Sequence, residues 1–323
     1  MRSNRCKWVM LTGVMIAALA SSAFSQSYPT KPVRIIVPFP PGGSVDFISR
    51  LLVQYIAAPL GQQVVVENRA GAGGTIGTEA GVKAAPDGYT LTMVSSSYSV
   101  HPSLYKLAFD PLNDMTPVVL VATTPFVICV HPSLPARNVK ELIALARARP
   151  GEINFATAGA GSGAHMATEL FLWKAGMKMN HVPYKGSGPA MTDLMAGHIA
   201  LAFSSAAGAF PYVRANRLRA LAVTSAQRFP SEPSIPTVAE SGVPGYEVLD
   251  WGGLLGPRGL PRAVVERVND ETNKVVKRKD VAERFQQSGL TAGGGEPEQF
   301  LERIRREMGT WREVVARAKI AIN

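Results

Sequence analysis

Apolar segments of strand length alternate with segments of helical periodicity through most of the chain. Apolar runs at 33–38, 64–67 and 89–94 are rich in β-branched residues, which favours buried strands. Helical spacing follows the first two runs, at 46–57 and 75–84. This alternation predicts a sheet of parallel strands with helices on its faces.

A second block with the same alternation begins near residue 125. Its strand patterns are at 126–130, 153–157, 181–184, 199–203 and 218–223, and its helical patterns are at 139–149, 165–175 and 189–196. The tail is more helical, with patterns at 263–277 and 296–316. Crossovers are expected near 123–125 and 224–230, which returns the tail to the first block. We therefore predict an α/β protein built from two units.

Residues 1–25 have the pattern of a cleavable export signal. Arg2, Arg5 and Lys7 precede a mostly apolar run at 8–20, and Ala23 and Ser25 are small residues at the cleavage positions. The apolar run is too short to span a bilayer, although a membrane anchor is the alternative. No later segment is apolar enough for a transmembrane helix, so we expect a soluble mature protein in the periplasm.

The net charge of +10 is compatible with an anionic ligand or a nucleic acid. Much of the excess lies in the last helical patterns, where acidic residues alternate with the basic ones as on a solvated helix face. No RNA-binding or zinc-finger signature is present, and no histidine has metal-ligand spacing. Cys129 lies in an apolar run and is expected in the core. We expect no nucleic acid partner, metal, cofactor or catalytic residue.

The first strand pattern ends in prolines and in Gly42 and Gly43, before Ser44 and Asp46. This predicts a tight turn and a helix start capped by Ser44. A helix start has unpaired N–H groups and partial positive charge, and glycine lets an anion approach the backbone. Since no Walker lysine follows, we predict a carboxylate site; a plain turn is the alternative. Asp46 either accepts a hydrogen bond from the ligand or favours the helix start.

Residues 159–165 repeat this design, with Gly161 and Gly163 on either side of Ser162. A hydrolase nucleophile elbow needs glycine two residues before and after the serine, where Ala160 and Ala164 stand. If the two units face each other, both turns contact one ligand, with His165 as a possible contact.

Two other polar segments end strand patterns and are equally compatible with ligand contacts or ordinary polar loops. The first contains Ser96 and Ser97, and the second begins at Tyr184.

An ordered series of segments resembles the Bug-type extracytoplasmic solute-binding receptors, the receptor components associated with tripartite tricarboxylate transporters. The resembling segments are 36–43 with Asp46, 66–74, 85–91, 182–186, 218–224, 236–242 and 251–254 with Pro257. Each segment alone is weakly specific, whereas their order over nearly the whole mature chain is strongly specific.

The resemblance implies a Venus-flytrap fold like that of periplasmic binding proteins, with a ligand cleft between two helix-flanked sheet lobes. Lobe I would comprise 26–125 and 229–323, and lobe II 126–228. The ligand carboxylate would be held by a first loop and a second loop, partly through waters. The first loop contributes Phe39, Pro41, Gly42, Gly43 and Ser44, and the second Gly161, Ser162, Gly163, Ala164 and His165.

The chain departs from the family pattern at positions that are expected to shape the distal pocket. Ser204 and Ser205 are small and uncharged where other members vary, and Asp250 stands where a small polar residue is commoner. Asp250 would favour a ligand with a hydrogen-bond donor at its far end.

We expect a monomeric, non-enzymatic binding protein that captures an organic acid, an aromatic acid or an acidic amino acid for uptake. A membrane permease or a sensor kinase is the expected partner. A periplasmic sensor and a secreted α/β hydrolase are the alternative functions.

Overall fold

The computed structural model describes residues 28–318 and 320, and the expected export signal lies outside these residues. The strands are β1 (Val33–Val37), β2 (Val64–Asn68), β3 (Thr90–Ser95), β4 (Met115–Val130), β5 (Asn154–Thr157), β6 (Asn180–Pro183), β7 (Leu201–Ser205), β8 (Arg219–Val223), β9 (Leu249–Pro257) and β10 (Thr291–Ala292). The helices are α1 (Ser44–Leu60), α2 (Thr75–Val82), α3 (Ser97–Leu104), α4 (Val139–Ala148), α5 (Gly163–Ala175), α6 (Ser187–Met195), α7 (Ala206–Arg214), α8 (Arg262–Lys277), α9 (Lys279–Gln287) and α10 (Pro297–Ala318).

The long strand β4 belongs to two sheets. Its residues from Met115 to Pro125 pair with β9, and those from Phe126 to Val130 pair with β7, with β8 pairing from Val127 onward. The strand order is β2-β1-β3-β9-β4 in the first sheet and β8-β4-β7-β5-β6 in the second. The expected parallel pairing is present where β1 pairs with β2 and β3, and where β5 pairs with β6 and β7. In contrast, β4 and β9 pair antiparallel to their neighbours. Both sheets are therefore mixed, because β4 runs antiparallel to its partners in each of them and β9 does so in the first.

Each sheet has its own apolar core. Ile35 and Leu52 belong to the core beneath the first sheet, and Phe155 and Phe171 belong to a core of the second. Cys129 is fully buried and free, as expected, and burial raises the pKa of its thiol to about 12. The helix α10 joins the two lobes, since Phe300 packs with first-sheet residues and Trp311 packs in the second core.

Residues 229–248 remain with the second lobe after β8 has ended. Phe229 and Ile235 pack into one of its apolar clusters, and Tyr246 and Val248 pack into another. The chain first pairs with the first sheet again at Leu249 in β9. We therefore propose that the second boundary between the lobes lies near residue 249, and not at 228/229. The first boundary, at 125/126, coincides with the change of pairing partner along β4.

Among the helices of the part of the chain that the structure describes, none combines the length and the apolar character needed to cross a bilayer.

Candidate functional site

Five helices begin at one cleft between the two sheets. The cleft is lined by Ser44 of α1, Ser97 of α3, Gly163 of α5, Ser187 of α6, and Ser205 immediately before α7. Its volume is about 690 Å³, including the open space at its mouth. The helices follow the carboxyl ends of strands in both sheets, which is where open α/β sheets bind ligands.

The electrostatics of the cleft come mainly from backbone groups. The N-terminal ends of α1, α3 and α6 have no side-chain cap, which leaves backbone N–H groups available. Ser162 and Ser205 cap α5 and α7 through their hydroxyl oxygens. Among the described residues that line the cleft, Asp250 alone carries an ionisable side chain. The helix ends therefore supply the positive potential that a bound anion needs.

The carboxylate of Asp46 holds the first loop in place through a hydrogen bond to its backbone. Gly42 adopts a left-handed conformation, with φ of 86°, and its N–H donates to Asp46 Oδ2 over 2.9 Å. Arg50 Nε lies 3.0 Å from both carboxylate oxygens, and Asn68 Nδ2 donates to Oδ1 over 2.8 Å. Burial alone would raise the pKa of Asp46, but these hydrogen bonds outweigh it and hold the pKa below its ordinary value. Asp46 thus supports the loop from outside the cleft lining.

We expect Asp46→Asn to lower the free energy of unfolding at pH 7 by about 1–3 kcal/mol, because in either orientation the amide N–H₂ would face two hydrogen-bond donors. The wild-type carboxylate has a lowered pKa in the folded state, so its stabilisation is present above its ordinary pKa of 3.8 and disappears as the pH falls through the folded value. Urea unfolding of both proteins at pH 7 and near pH 3 measures this.

The exposed Asp270 on α8 offers a control substitution, Asp270→Asn, with the same change of charge. Equal stability of wild type and Asp46→Asn at pH 7 would contradict the supporting role.

The second loop is organised by a pair of stacked histidines. The N–H of Gly161 donates to His165 Nδ1 over 3.1 Å, and the rings of His165 and His181 stack with centroids 4.0 Å apart. His181 Nε2 lies 2.7 Å from Oγ1 of Thr157, which lines the cleft. Burial, followed by the proximity of His165, lowers the pKa of His181 to about 3. The neutral His181 therefore stays in place and fixes the loop at the end of β5.

Asp250 lies where β9 meets the N-terminal ends of α1 and α3. Its Oδ1 accepts from Ser96 Oγ over 2.7 Å, and its Oδ2 accepts from Ser44 Oγ over 2.8 Å. Burial raises the pKa of Asp250 above its ordinary value, although both hydroxyl groups oppose this rise. Ser44 was expected to cap α1, but Gly43 occupies the capping position and the Ser44 hydroxyl donates to Asp250 instead.

The geometry described above, with helix N-terminal ends from two lobes around one cleft, agrees with a match to a known family. The profile described as tripartite tricarboxylate transporter family receptor matches residues 48–320. The chain belongs to this family.

The receptor has relatives of the Bug type. It is 40% identical over 319 residues to the UPF0065 protein in the tcbD–tcbE intergenic region of a Pseudomonas species, which covers 97% of this chain and 95% of that protein. It is 39% identical over 321 residues to BugT of Bordetella pertussis, which covers 97% of each chain.

Solved structures of similar proteins share the two-lobe fold of periplasmic binding proteins. A Rhodopseudomonas palustris protein solved with adipate has a TM-score of 0.88 at 34% identity, covering 91% of this chain and 99% of that one. The periplasmic binding protein BugD has a TM-score of 0.86 at 33% identity, with the same coverage. MatC of Rhodopseudomonas palustris, solved with malate, has a TM-score of 0.83 at 29% identity, covering 89% and 100%.

The structure of the receptor brings most of the expected site residues to the cleft. Those that line it are Phe39, Gly43, Ser44, Ser97, Ser162, Gly163, Ala164, Ser204, Ser205 and Asp250. Those outside its lining are Pro41, Gly42, Asp46, Ser96, Gly161, His165 and Tyr184. Ser96 donates to Asp250 of the lining, and His165 stacks on His181, whose ring lies within hydrogen-bond distance of Thr157 of the lining. The Tyr184 hydroxyl donates to Asp193. Direct ligand contacts of all these residues stay predictions.

Several residues of the lining were not expected from the sequence. They are the polar Thr157 and large apolar residues that include Phe126 and Met191. Ser95 and Ser187 also line the cleft, and they lie in the two polar segments, 95–98 and 184–188, that were compatible with ligand contacts. The apolar residues gave no signal, since a strand or helix residue that faces a cleft has the same pattern as one that faces a core.

Within residues 28–318 and 320, no cluster of three or more His, Cys, Asp or Glu side chains could hold a metal ion.

The two lobes touch beside the cleft. The hydroxyl of Tyr105, which follows α3, donates to the carbonyl oxygen of Ala160 in the second loop over 2.9 Å. Gly186 lies against Pro40, since a Cβ atom at Gly186 would be 3.1 Å from the proline ring. These contacts join lobe I to lobe II and therefore stabilise the closed arrangement.

We expect Tyr105→Phe to weaken ligand binding about two- to tenfold, because one hydrogen bond of the closed form contributes about 0.5–1.5 kcal/mol. The measurement is calorimetric titration with whichever carboxylate binds the wild type. Tyr55→Phe on α1, away from the cleft, is the matched control. Equal affinity of wild type and Tyr105→Phe would show that this contact does not favour closure.

Proposed function

We propose that this receptor captures a small carboxylate between its lobes in the periplasm and closes over it for delivery to a membrane permease. The observation that carries the proposal is the convergence of helix N-terminal ends from both lobes on one cleft. A carboxylate can accept hydrogen bonds from the N–H groups of several helices at once, and it does so only when the lobes are close.

The energetics are sufficient for a useful affinity. A hydrogen bond to a charged group contributes about 1.5–3 kcal/mol. Four or five such bonds contribute about 6–15 kcal/mol in total, and part of that sum is offset by the entropy lost on association. The upper part of this range is enough for micromolar binding, which needs roughly 8 kcal/mol. Because the ligand contacts both lobes, its binding free energy favours the closed form.

Capture rather than catalysis is supported by the composition of the cleft. Among the described residues of its lining there is no histidine, lysine or cysteine that could act as a base or nucleophile beside the serines. The Ser162 hydroxyl accepts the backbone N–H of His165 over 3.2 Å, which is the role of a helix cap.

Related proteins support the ligand class and the location. One neighbour was solved with adipate and another with malate, both of which are carboxylates, and BugD is a periplasmic binding protein. The family description names a transporter receptor, which favours a permease over a sensor kinase as the partner.

A thermal-shift screen of organic acids, aromatic acids and amino acids tests the proposed ligand class. A bound ligand stabilises the folded state, so at least one carboxylate should raise the unfolding temperature in a concentration-dependent way. The transport role is tested in the source cell by deleting the gene and measuring uptake of that carboxylate. Loss of uptake supports delivery to a permease, whereas normal uptake with a lost transcriptional response would favour a sensor.

A further inference from the structure

The buried carboxylate of Asp250 has no cationic partner in the cleft. Its residue surface is 6% exposed, yet Asp250 belongs to the cleft lining. Among the other described lining residues there is no lysine, arginine or histidine to balance it. The groups that donate to Asp250 are all neutral: the Ser44 and Ser96 hydroxyls and the backbone N–H groups of Ser96 and Trp251. They satisfy hydrogen bonds but do not balance the charge, and a buried charge without a counter-charge is costly.

The hydroxyl groups around Asp250 extend its acceptor character into the cleft. A serine hydroxyl has one proton, and Ser44 and Ser96 both donate theirs to Asp250. Ser44 also lines the cleft, where its oxygen can then only accept. The neighbouring Ser95 and Ser97 hydroxyls lie 2.7 Å apart, so one of their two protons is used between them. This side of the cleft is therefore poor in side-chain donors and rich in acceptors.

The acceptor oxygens of Asp250 and Ser44 lie next to the backbone N–H groups that are proposed to bind the ligand carboxylate. A Cβ atom placed on Gly163, the first residue of α5, would be 3.6 Å from Asp250 Oδ1. Ser44 is the first residue of α1. A ligand bound here meets helix N-terminal ends that favour a carboxylate and a carboxylate that favours a donor. A ligand with two carboxylates and no donor would place a second negative charge near Asp250 without a balancing cation.

We propose that Asp250 and Ser44 form a subsite for a hydrogen-bond donor, so that the ligand is a carboxylate that also carries an ammonium or hydroxyl group. This inference rests on the proposed function, since it specifies the carboxylate that the cleft receives. An ammonium group gives the tightest binding, because it adds an ion pair to the hydrogen bond.

The test compares ligands that differ only in the second group. Calorimetric titrations use butanoate, succinate, and the 2- and 4-substituted amino- and hydroxybutanoates, together with the corresponding six-carbon series. Each ligand is measured with the wild type, Asp250→Asn and the charge-matched control Asp270→Asn. Asp250→Ser is the second variant in case Asp250→Asn does not fold.

We expect the wild type to bind at least one amino- or hydroxy-substituted acid at least tenfold more tightly than the parent acid and the diacid of equal length. Asp250→Asn should lose at least tenfold for the amino-substituted acid and gain affinity for the diacid, and Asp270→Asn should change neither. Tighter binding of the diacid by the wild type, or an equal loss for every ligand in Asp250→Asn, would overturn the donor subsite alone. Absence of binding by every carboxylate, both in these series and in the thermal-shift screen, would overturn the proposed function itself.

Discussion

Gly43→Val should weaken carboxylate binding by about a hundredfold or more while leaving the fold intact. Gly43 has φ of −80° and ψ of 170°, a conformation that any residue adopts. A Cβ atom there would meet nothing nearer than the Pro40 carbonyl oxygen at 3.9 Å. The valine methyl groups would instead occupy the space in front of the first N–H groups of α1, where the ligand carboxylate is proposed to bind. Calorimetric titration measures the loss.

The control for this variant is Gly309→Val, at an exposed glycine of α10 with open space around it. It should bind as the wild type does. Circular dichroism and the unfolding temperature of Gly43→Val without ligand should also match the wild type. A folded Gly43→Val protein with wild-type affinity would remove the first loop from the binding site.

Gly163→Ala should weaken binding about five- to a hundredfold by holding the lobes apart. The new Cβ atom would lie 2.3 Å from Ser96 Oγ and 3.1 Å from the ring of Phe126. Ser96 cannot easily move away, since its hydroxyl donates to Asp250. Overpacking of this kind costs about 1–3 kcal/mol. It destabilises the form of the protein in which the start of α5 lies against the start of α3. Titration of the variant with the ligand of the wild type measures the effect.

Gly188→Ala is the matched control, because Gly188 also lies in the first turn of a helix that begins at the cleft, yet has open space around it. Alanine is favoured over glycine within helices by about 1 kcal/mol, so this variant should be as stable as the wild type and should bind nearly as well. If Gly163→Ala bound as tightly as Gly188→Ala, the close approach of α5 would not be a requirement for binding.

The helix starts at the cleft could be predicted largely from the sequence. Glycine and serine between an apolar run and a helical pattern marked the beginnings of α1 and α5, because their conformational and capping properties are local. The same reasoning did not find α3, α7 and α9, which are only eight or nine residues long. In α9 the buried Val281 and Phe285 have helical spacing, so its pattern was present but was overlooked. Their formation depends on packing against the rest of the chain.

The roles of the two acidic residues depended partly on contacts between residues that are far apart in the chain. Asp46 was expected either to contact the ligand or to favour the helix start. Its hydrogen bonds to Gly42 and Arg50 are local, whereas the one from Asn68 spans 22 residues. Asp250 contacts Ser44 across 206 residues. It was predicted as a site residue through its departure from the family pattern, whereas its hydrogen bonds to two serines became visible only in the folded chain.

The mixture of parallel and antiparallel strands in each sheet could not be predicted from the sequence pattern either. β4 and β9 are apolar strands like the others. Nothing in their composition shows that both pair antiparallel to their neighbours or that β4 extends from one sheet into the other. Residues 229–248, which precede β9, were predicted to belong to the first lobe. Two of their apolar residues, Tyr246 and Val248, pack in the second lobe instead.

The most direct test of the account compares a carboxylate with its neutral amide. The carboxylate that gives the largest thermal shift and its carboxamide, in which –CO₂⁻ is replaced by –CONH₂, are titrated into the mature chain by calorimetry. We predict saturable binding of one carboxylate per chain with a micromolar or lower dissociation constant, and at least a hundredfold weaker binding of the amide. Equal binding of the two compounds would contradict recognition of an anion by converging helix ends.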